Sequence, residues 1–398
     1  MTFFCISCYF KGGPFLRACK AAGNTVYLLT AKKLEHEAWP REAVDEFFYM
    51  EDDSNQPANL ANIAKGFAWI MRERRVDRIV AMDDFDVEKA AYLREEFRLP
   101  GMGQTTARYF RDKLAMRVQA RDRGIPVPQF SSLFNDVALT EFANRVEYPC
   151  LVKPRGEASA TGISKVHSAQ ELWDKVHGLG ERRKDFLVEQ FRPGDVYHVD
   201  AISVDGEVVF CQVSRYLSTP FEVAHGGGIF RSVSVPYNDP DAVTLRRLTE
   251  SVMHVFGMQY SASHTEFIKT ADGFVFLETA SRVGGAHLAE MVEAATGINL
   301  WAEWAKLETA MATGRRYTLP TRRYDQAGII VSLSRFERPD TSGFTDPEIV
   351  WRMDKKQHIG LIVASTSTHR VVELLDDYAH RIARDFHASA PAPAKSAH

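Results

Sequence analysis

The sequence predicts an α/β protein: a doubly wound parallel sheet over the first hundred residues, then an α+β arrangement. Three observations carry this. From Thr2 to about Pro100, short apolar runs alternate with helical spacing and short connections. Leu99-Pro100-Gly101 is a turn signal that closes that zone. Beyond it, hairpin signals such as Asp205-Gly206 replace the strand–helix alternation. A chain of 398 residues suits two or three packed units better than one small core.

In the first zone, Phe3–Ser7 reads as a strand and Lys11–Gly13 as a loop. Pro14–Ala22 reads as a helix closed by Gly23, and Thr25–Leu29 as the next strand. Leu60–Glu73 is helical by its apolar spacing, Arg78–Ala81 is a buried strand, and Val87–Phe97 is a helix. Gly12-Gly13-Pro14 reads as a tight turn, because its spacing is not that of a dinucleotide fingerprint.

A second zone follows. A helix from about Thr105 to Arg121 ends at Gly124, before Pro126 and Pro128. Cys150–Lys153 is a strand, 154–162 a loop, and Ile163–Val166 another strand. Ser168 with Glu171 three residues on forms a capping box for the next helix. Phe186–Glu189 is a strand, and Val199–Val204 and Glu207–Val213 form a hairpin about Asp205-Gly206. Past Pro320 come strands Ala327–Leu333 and Gly360–Ala364 and a helix over Thr368–Arg384. The last dozen residues, rich in Ala, Ser and Pro, cannot bury a core and read as a disordered tail. There is no internal repeat.

Composition excludes several classes. Lys+Arg is 49 and Asp+Glu 52, a net charge of −3, so there is no broad surface for a nucleic acid. Apolar runs such as Gly328–Val331 and Leu361–Ala364 are too short to span a bilayer. The start Met1–Cys8 has no positive segment of the secretory kind. Five cysteines, Cys5, Cys8, Cys19, Cys150 and Cys211, are sparse and odd in number, as expected of a reducing, cytoplasmic compartment. Cys5 and Cys8 have no second pair with which to hold zinc, and read as thiols on or beside the first strand.

The chemistry concentrates in 264–282. His264–Lys269 and Phe274–Glu278 read as strands joined by the three-residue loop Ala271-Asp272-Gly273, which pairs Glu266 with Glu278. Like charges directly opposite are destabilising, so a cation between them is the natural compensation. Oxygen-only ligands favour Mg²⁺ or Mn²⁺. A two-residue loop, Asp272-Gly273, would instead put the carboxylates on opposite faces. Arg282 lies four residues past Glu278, where a guanidinium can grip phosphate oxygens bidentately or simply pair with the glutamate. Lys153 ends a buried strand ahead of a loop of small residues, which can offer N–H groups and an ammonium to phosphates. Lys113, Arg117 and Arg121 form an i, i+4, i+8 stripe that reads as a solvated face, or as a means of placing Lys113 at a cleft. In 188–195 a strand runs into an irregular Pro-Gly segment whose backbone could bond a planar base.

Taken in order, these pieces resemble the ATP-grasp superfamily of carboxylate–amine ligases. The phrases that carry it are Arg111-Asp112-Lys113, Gly124–Pro128, Tyr148–Pro154, Leu187–Gly194, His264–Phe267 and Leu277–Gly285. The resemblance runs from about Phe3 to Leu307. It implies an N-terminal pre-ATP-grasp domain over 1–104 and an ATP-grasp domain over 105–319 with a small mobile lid at about 125–190. A C-terminal part of the body then occupies 320–386, before the tail at 387–398. ATP would lie between lid and body. Lys113 and Lys153 would bind its phosphates under the 156–162 loop, with Ser159 and Gly162 in that loop. Glu189 and Gln190 would face the adenine, and the Arg192 N–H would complete the hinge. Glu266 and Glu278 would hold Mg²⁺ (or Mn²⁺), and Arg282 would steady an acyl phosphate.

Two departures are plain. Val196 stands where the family often has a ribose-binding Glu, which leaves Asp195 or His198 to serve. Ala280 stands where a metal-binding Asn is usual. The implied activity is an ATP-dependent ligation of a small carboxylate, an amino acid by the Ser281–Gly285 phrase, to an amine, giving an amide, ADP and phosphate. His225, Arg231 and Ser281 are the candidate substrate contacts. A non-catalytic ATP-binding protein and an enzyme of the purine-pathway or biotin-carboxylase type are the alternatives. The partners implied are small molecules, with no nucleic acid and no membrane; family members are often homodimers.

Overall fold

The computed structural model describes residues 1–158, 161–219, 223 and 227–389. Three sheets stack along the chain. The first contains β1 (Thr2–Ser7), β2 (Thr25–Ala31), β3 (Glu46–Met50) and β4 (Arg78–Ala81), in the order β3-β2-β1-β4 and all parallel. Its helices are α1 (Gly13–Ala21), α2 (Pro57–Ile70) and α3 (Val87–Glu96). β1 and β4 are buried almost throughout, and largely apolar, because helices cover both faces. The doubly wound expectation holds, with one strand added: β3 is a half-buried edge, and its acidic, aromatic sequence carries no continuous apolar run. α1 begins after Gly12, which takes φ +83; a Cβ there would lie 2.2 Å from Met82 Sδ, so the turn needs glycine on both counts.

The helix expected over 105–121 is two helices, α4 (Gln104–Arg108) and α5 (Lys113–Asp122). Asp112 breaks it: its Oδ1 accepts from the Leu114 and Ala115 N–H groups at 2.9 and 3.3 Å, an N-cap. Lys113 is thereby the first residue of a helix whose start faces the cleft.

The second sheet has β5 (Phe130–Ser132), β6 (Cys150–Pro154), β7 (Ser164–Val166) and β8 (Phe186–Gln190), antiparallel in the order β5-β8-β6-β7. α6 (Asp136–Arg145) and α7 (Ala169–Leu179) bury one face of it. The expected cap at Ser168 forms with one shift: Ser168 Oγ accepts from the Glu171 N–H at 3.2 Å, but Glu171 accepts from the N–H of His167, one residue before the cap, at 2.8 Å.

The third sheet is antiparallel, in the order β13-β12-β9-β10-β11-β14-β16-β15. It comprises β9 (Asp195–Val204), β10 (Glu207–Tyr216), β11 (Phe230–Ser234), β12 (Ser261–Thr270), β13 (Gly273–Ala280), β14 (Gln326–Leu333), β15 (Ile349–Arg352) and β16 (His358–Ser365). The helices are α8 (Pro240–Phe256), α9 (Leu288–Thr296), α10 (Leu300–Thr313) and α11 (Thr368–Asp385). β9 and β10 turn through Asp205 and Gly206, both at positive φ. α8 packs on one face against Tyr197, Val199, Ala201 and Val213. α10 joins this sheet to the first: Arg78 and Glu308 form a buried ion pair at 2.5 Å.

The hairpin bearing the two glutamates differs from expectation in its turn and agrees in its pairing. The loop has two residues, Ala271 and Asp272, and pairs Thr270 with Gly273. That alone would set Glu266 against Leu277, but a bulge past Phe267–Phe276 shifts the ladder by one and restores Glu266 opposite Glu278. At the start of the expected tail, His387 bridges to Ser334 and the Ala388 N–H donates to Leu333 O at 3.1 Å; residues 390–398 lie outside the described residues.

Candidate active site

The three sheets meet around a cavity of about 570 Å³. The first sheet lends Asp84, α5 lends Lys113, the second sheet lends Lys153, Glu189 and Gln190, and the third lends Glu266, Glu278 and Arg282. Lys113 opens α5, Lys153, Glu189 and Gln190 stand near the ends of β6 and β8, Glu266 and Glu278 face each other on β12 and β13, and Asp84 and Arg282 stand in the segments just past β4 and β13.

Lys153 and Glu189 lie on adjacent strands, paired to either side of the β6–β8 ladder, and their side chains form a buried ion pair. Arg117, one turn into α5 from Lys113 and fully buried, donates Nε to the same carboxylate at 2.9 Å. The cationic stripe therefore divides: Lys113 enters the cleft, Arg117 is core, and only Arg121 is solvated. Glu189 lines the cavity, and its carboxylate is held by Lys153 and Arg117. Burial pushes the Lys153 ammonium down to about 8, against the upward pull of Glu189. Gln190 keeps a buried Oε1 without a hydrogen-bond partner, as does Thr161 Oγ1 in the lid loop, and both residues line the cavity. Gly162 follows Thr161 in that loop at φ +73.

The acidic side is built on β12 and β13. Glu278 pairs with Lys113 at 2.9 Å, and Lys113 also donates to Glu157 O at 2.6 Å. Burial favours the neutral acid of Glu278, but Lys113 overcomes it and holds the carboxyl below the usual range. Glu266 accepts from the Tyr216 hydroxyl at 2.8 Å. Beneath it, Asp200 accepts from Nδ1 of both His198 and His264 at 2.9 Å. Two carboxylates face each other here: Glu278 is paired with Lys113, and Glu266 is held by Tyr216 and, at 3.6 Å, by His264 Nε2, with no partner shared between the two. That donor set fits a small divalent cation with water completing its shell. Arg282 reaches across to the first sheet, donating Nη2 to Asp84 at 2.6 Å and Nη1 to Val283 O at 2.9 Å. Burial would raise the Asp84 carboxyl, but Arg282, then Arg111 and Lys11, hold it down at about 2.

Several expected contacts lie elsewhere, for reasons of parity along strands. On β9, Val196 lines the cavity, while Asp195 points to the α8 face and pairs with Arg215 at 3.3 Å. His198 shares the Val196 face but is fully buried, bonded to Asp200 and to Ser232 Oγ at 2.8 Å. Neither lines the cavity. On β11, Phe230 faces the cavity and Arg231 turns to α11, pairing with Asp376 at 2.5 Å. Ser281 is buried off the cavity wall, its carbonyl accepting from Ser261 Oγ at 3.3 Å. Arg192 lines the hinge and pairs with Asp272 at 3.0 Å. Ser159 and His225 lie outside the described residues. Sequence reasoning missed Asp84, Arg111, Asp200 and Tyr216, of which only Arg111 stood in a quoted phrase; Arg117 was seen in the cationic stripe but not as a buried partner of Glu189. All five cysteines are buried and free, in keeping with the plain reading of Cys5 and Cys8.

The whole arrangement superposes on a solved L-amino acid ligase from Bacillus licheniformis with a TM-score of 0.75, covering 97% of this chain and 98% of that one, at 17% identity. The chain has the ATP-grasp fold. The ATP-grasp architecture is likewise similar to a phosphoribosylglycinamide synthetase from Anaerococcus prevotii, with a TM-score of 0.69 at 16% identity over 94% of this chain and 97% of that one. The D-ala D-ala ligase C-terminus family matches residues 120–219, the lid and first body strands. In sequence the chain is similar to the L-arginine-specific L-amino acid ligase of Bacillus subtilis, 28% identical over 239 residues, 58% of this chain and 57% of that protein. It is also similar to a D-alanine–D-alanine ligase of Ralstonia pickettii, 33% identical over 105 residues, 26% of this chain and 32% of that protein. The chain thus matches little more than half of the first curated relative's length. Among the described residues, no helix is long and apolar enough to cross a membrane.

Proposed function

We propose that this ATP-grasp protein is an ATP-dependent carboxylate–amine ligase acting on amino-acid-like substrates. One coincidence supports the reading above all: two lysines, two opposed glutamates and Arg282 come from separate elements into one cavity. The similarity to amino acid ligases favours an amino acid as the activated acid.

The nucleotide fits between lid and body. Gln190 Oε1 and Thr161 Oγ1 are buried polar atoms that a base and a phosphate would satisfy. Lys113 and Lys153 would hold the phosphates. Glu266 and Glu278 would hold Mg²⁺, which when bound supplies charge neutralisation at the phosphates. The substrate carboxylate would attack the γ-phosphate to give an acyl phosphate and ADP; an amine would then displace phosphate and form the amide. The protein contributes position and fixed charge, with Arg282 at the acyl phosphate, oriented by Asp84. Arg282 would be the catalytic residue in this scheme.

ADP release with Mg-ATP, measured across a panel of amino acids and other small carboxylates, tests this. Stimulation by one or more amino acids is expected. ATP binding without stimulation by any acid would favour a non-catalytic nucleotide-binding protein. Glu278→Gln should abolish turnover, and normal activity in that variant would remove Glu278 from the metal site.

A further inference from the structure

Every cation on the cavity wall but one has an acidic partner. Lys113 has Glu278, Lys153 has Glu189, Arg282 has Asp84 and Arg192 has Asp272. The exception, among the described residues, is Arg111. It lines the cavity and is only 8% exposed, and its Nε is buried with no hydrogen-bond partner. Its guanidinium lies over the Phe85 ring, 4.1 Å from the centroid, which fixes its plane. On the other side it approaches the lid loop: a Cβ on Gly156 would lie 3.6 Å from Arg111 Nη2. Arg111 thus stands between the first sheet and the lid, beside the Asp84–Arg282 pair.

A buried, unpaired guanidinium is costly and is retained where a ligand supplies the missing charge. We propose that Arg111 is an oxyanion-binding residue, receiving in its fork a carboxylate or phosphoryl group of the reactants. This rests on the ligase reading. The substrate carboxylate and the γ-phosphate share this chemistry, and binding measurements separate them. The planar fork explains why arginine stands there, two residues before the lysine that also reaches the cleft.

The test is Arg111→Met, which keeps the contact with Phe85, with Arg111→Lys as the conservative control. Calorimetry of the full chain would titrate ADP, β,γ-imido-ATP, and the amino acid that most stimulates ADP release, or inorganic phosphate if none does. If the γ-phosphate is bound, Arg111→Met weakens β,γ-imido-ATP about tenfold and leaves ADP unchanged. If the substrate carboxylate is bound, the amino acid weakens about tenfold, its KM rises with it, and both nucleotides are unchanged. Lys should recover part of either loss. The thermal midpoint of the ligand-free variant should change little, since Arg111 makes no ion pair of its own and Asp84 keeps its direct pair with Arg282. All affinities within about twofold of wild type, or a fall in the ligand-free midpoint with no ligand effect, overturns the proposal in favour of a structural role. A wild type without substrate-stimulated ADP release would defeat the ligase reading instead, and the nucleotide and phosphate titrations would still decide on Arg111.

Discussion

Glu189→Gln removes one negative charge from between two buried cations. The side chains of Lys153, Glu189 and Arg117 are 4%, 2% and 0% exposed, so water cannot replace the lost carboxylate. Breaking a buried ion pair by removing one partner typically costs about 3–5 kcal/mol, because the remaining charge is uncompensated. Here two charges remain, and Arg117 already leaves its buried Nη1 without a partner, so the upper part of that range is expected. A second effect concerns ligand binding. The Lys153 ammonium sits at about 8, below its ordinary 10.5, because burial outweighs the attraction of Glu189. The burial penalty is fully present below pH 8 and is relieved as pH rises from 8 to 10.5, so nucleotide affinity should fall as pH rises through about 8. Without Glu189, that fall should begin at lower pH. Urea unfolding gives the first quantity, and nucleotide affinity measured across a pH series gives the second. A variant with the wild-type urea midpoint and the wild-type pH profile for ADP would refute the account of this triad.

Two further outcomes follow from the same geometry. Asp84 sits at about 2 against an ordinary 3.8, so its pairing with Arg282 adds stability that is complete above pH 3.8 and lost as pH falls toward 2; this amounts to about 2 kcal/mol, and Asp84→Asn should flatten that acid limb in a series of thermal melts. Gly194→Ala at the hinge would place a Cβ 2.1 Å from Lys269 O at φ +151, and should lower stability by about 1–3 kcal/mol in urea and weaken nucleotide binding; a silent substitution would mean the hinge tolerates displacement.

Local patterns made the first sheet legible, because β1 and β4 carry short, nearly continuous apolar runs and α1 and α3 follow within a few residues. β3 escaped because an edge strand needs no continuous apolar run. The α4–α5 break escaped because apolar spacing continues across it, although Asp112 is a capping residue type. Lys113, Lys153, Glu266, Glu278 and Arg282 were legible through their order along the chain, and all five line the cavity. Their partners were not. Asp84 meets Arg282 across 198 residues and Glu189 meets Arg117 across 72, and no local rule spans such separations. Asp195 and Arg231 lie off the cavity for a simpler reason: in a strand, one position decides which face a side chain occupies. The Glu266–Glu278 pairing was reached with the wrong loop length, which the bulge corrected.

The third sheet has a consequence for synthesis of the chain. β11 pairs with β14, yet Ser234 and Gln326 are 92 residues apart. Until β14 emerges, β11 presents open N–H and C=O groups along an unprotected edge. The body therefore completes its sheet late in translation, and pairing across such separations is slow. A nascent or truncated chain ending before residue 326 would carry the nucleotide cavity's main residues together with an edge free to pair with another chain.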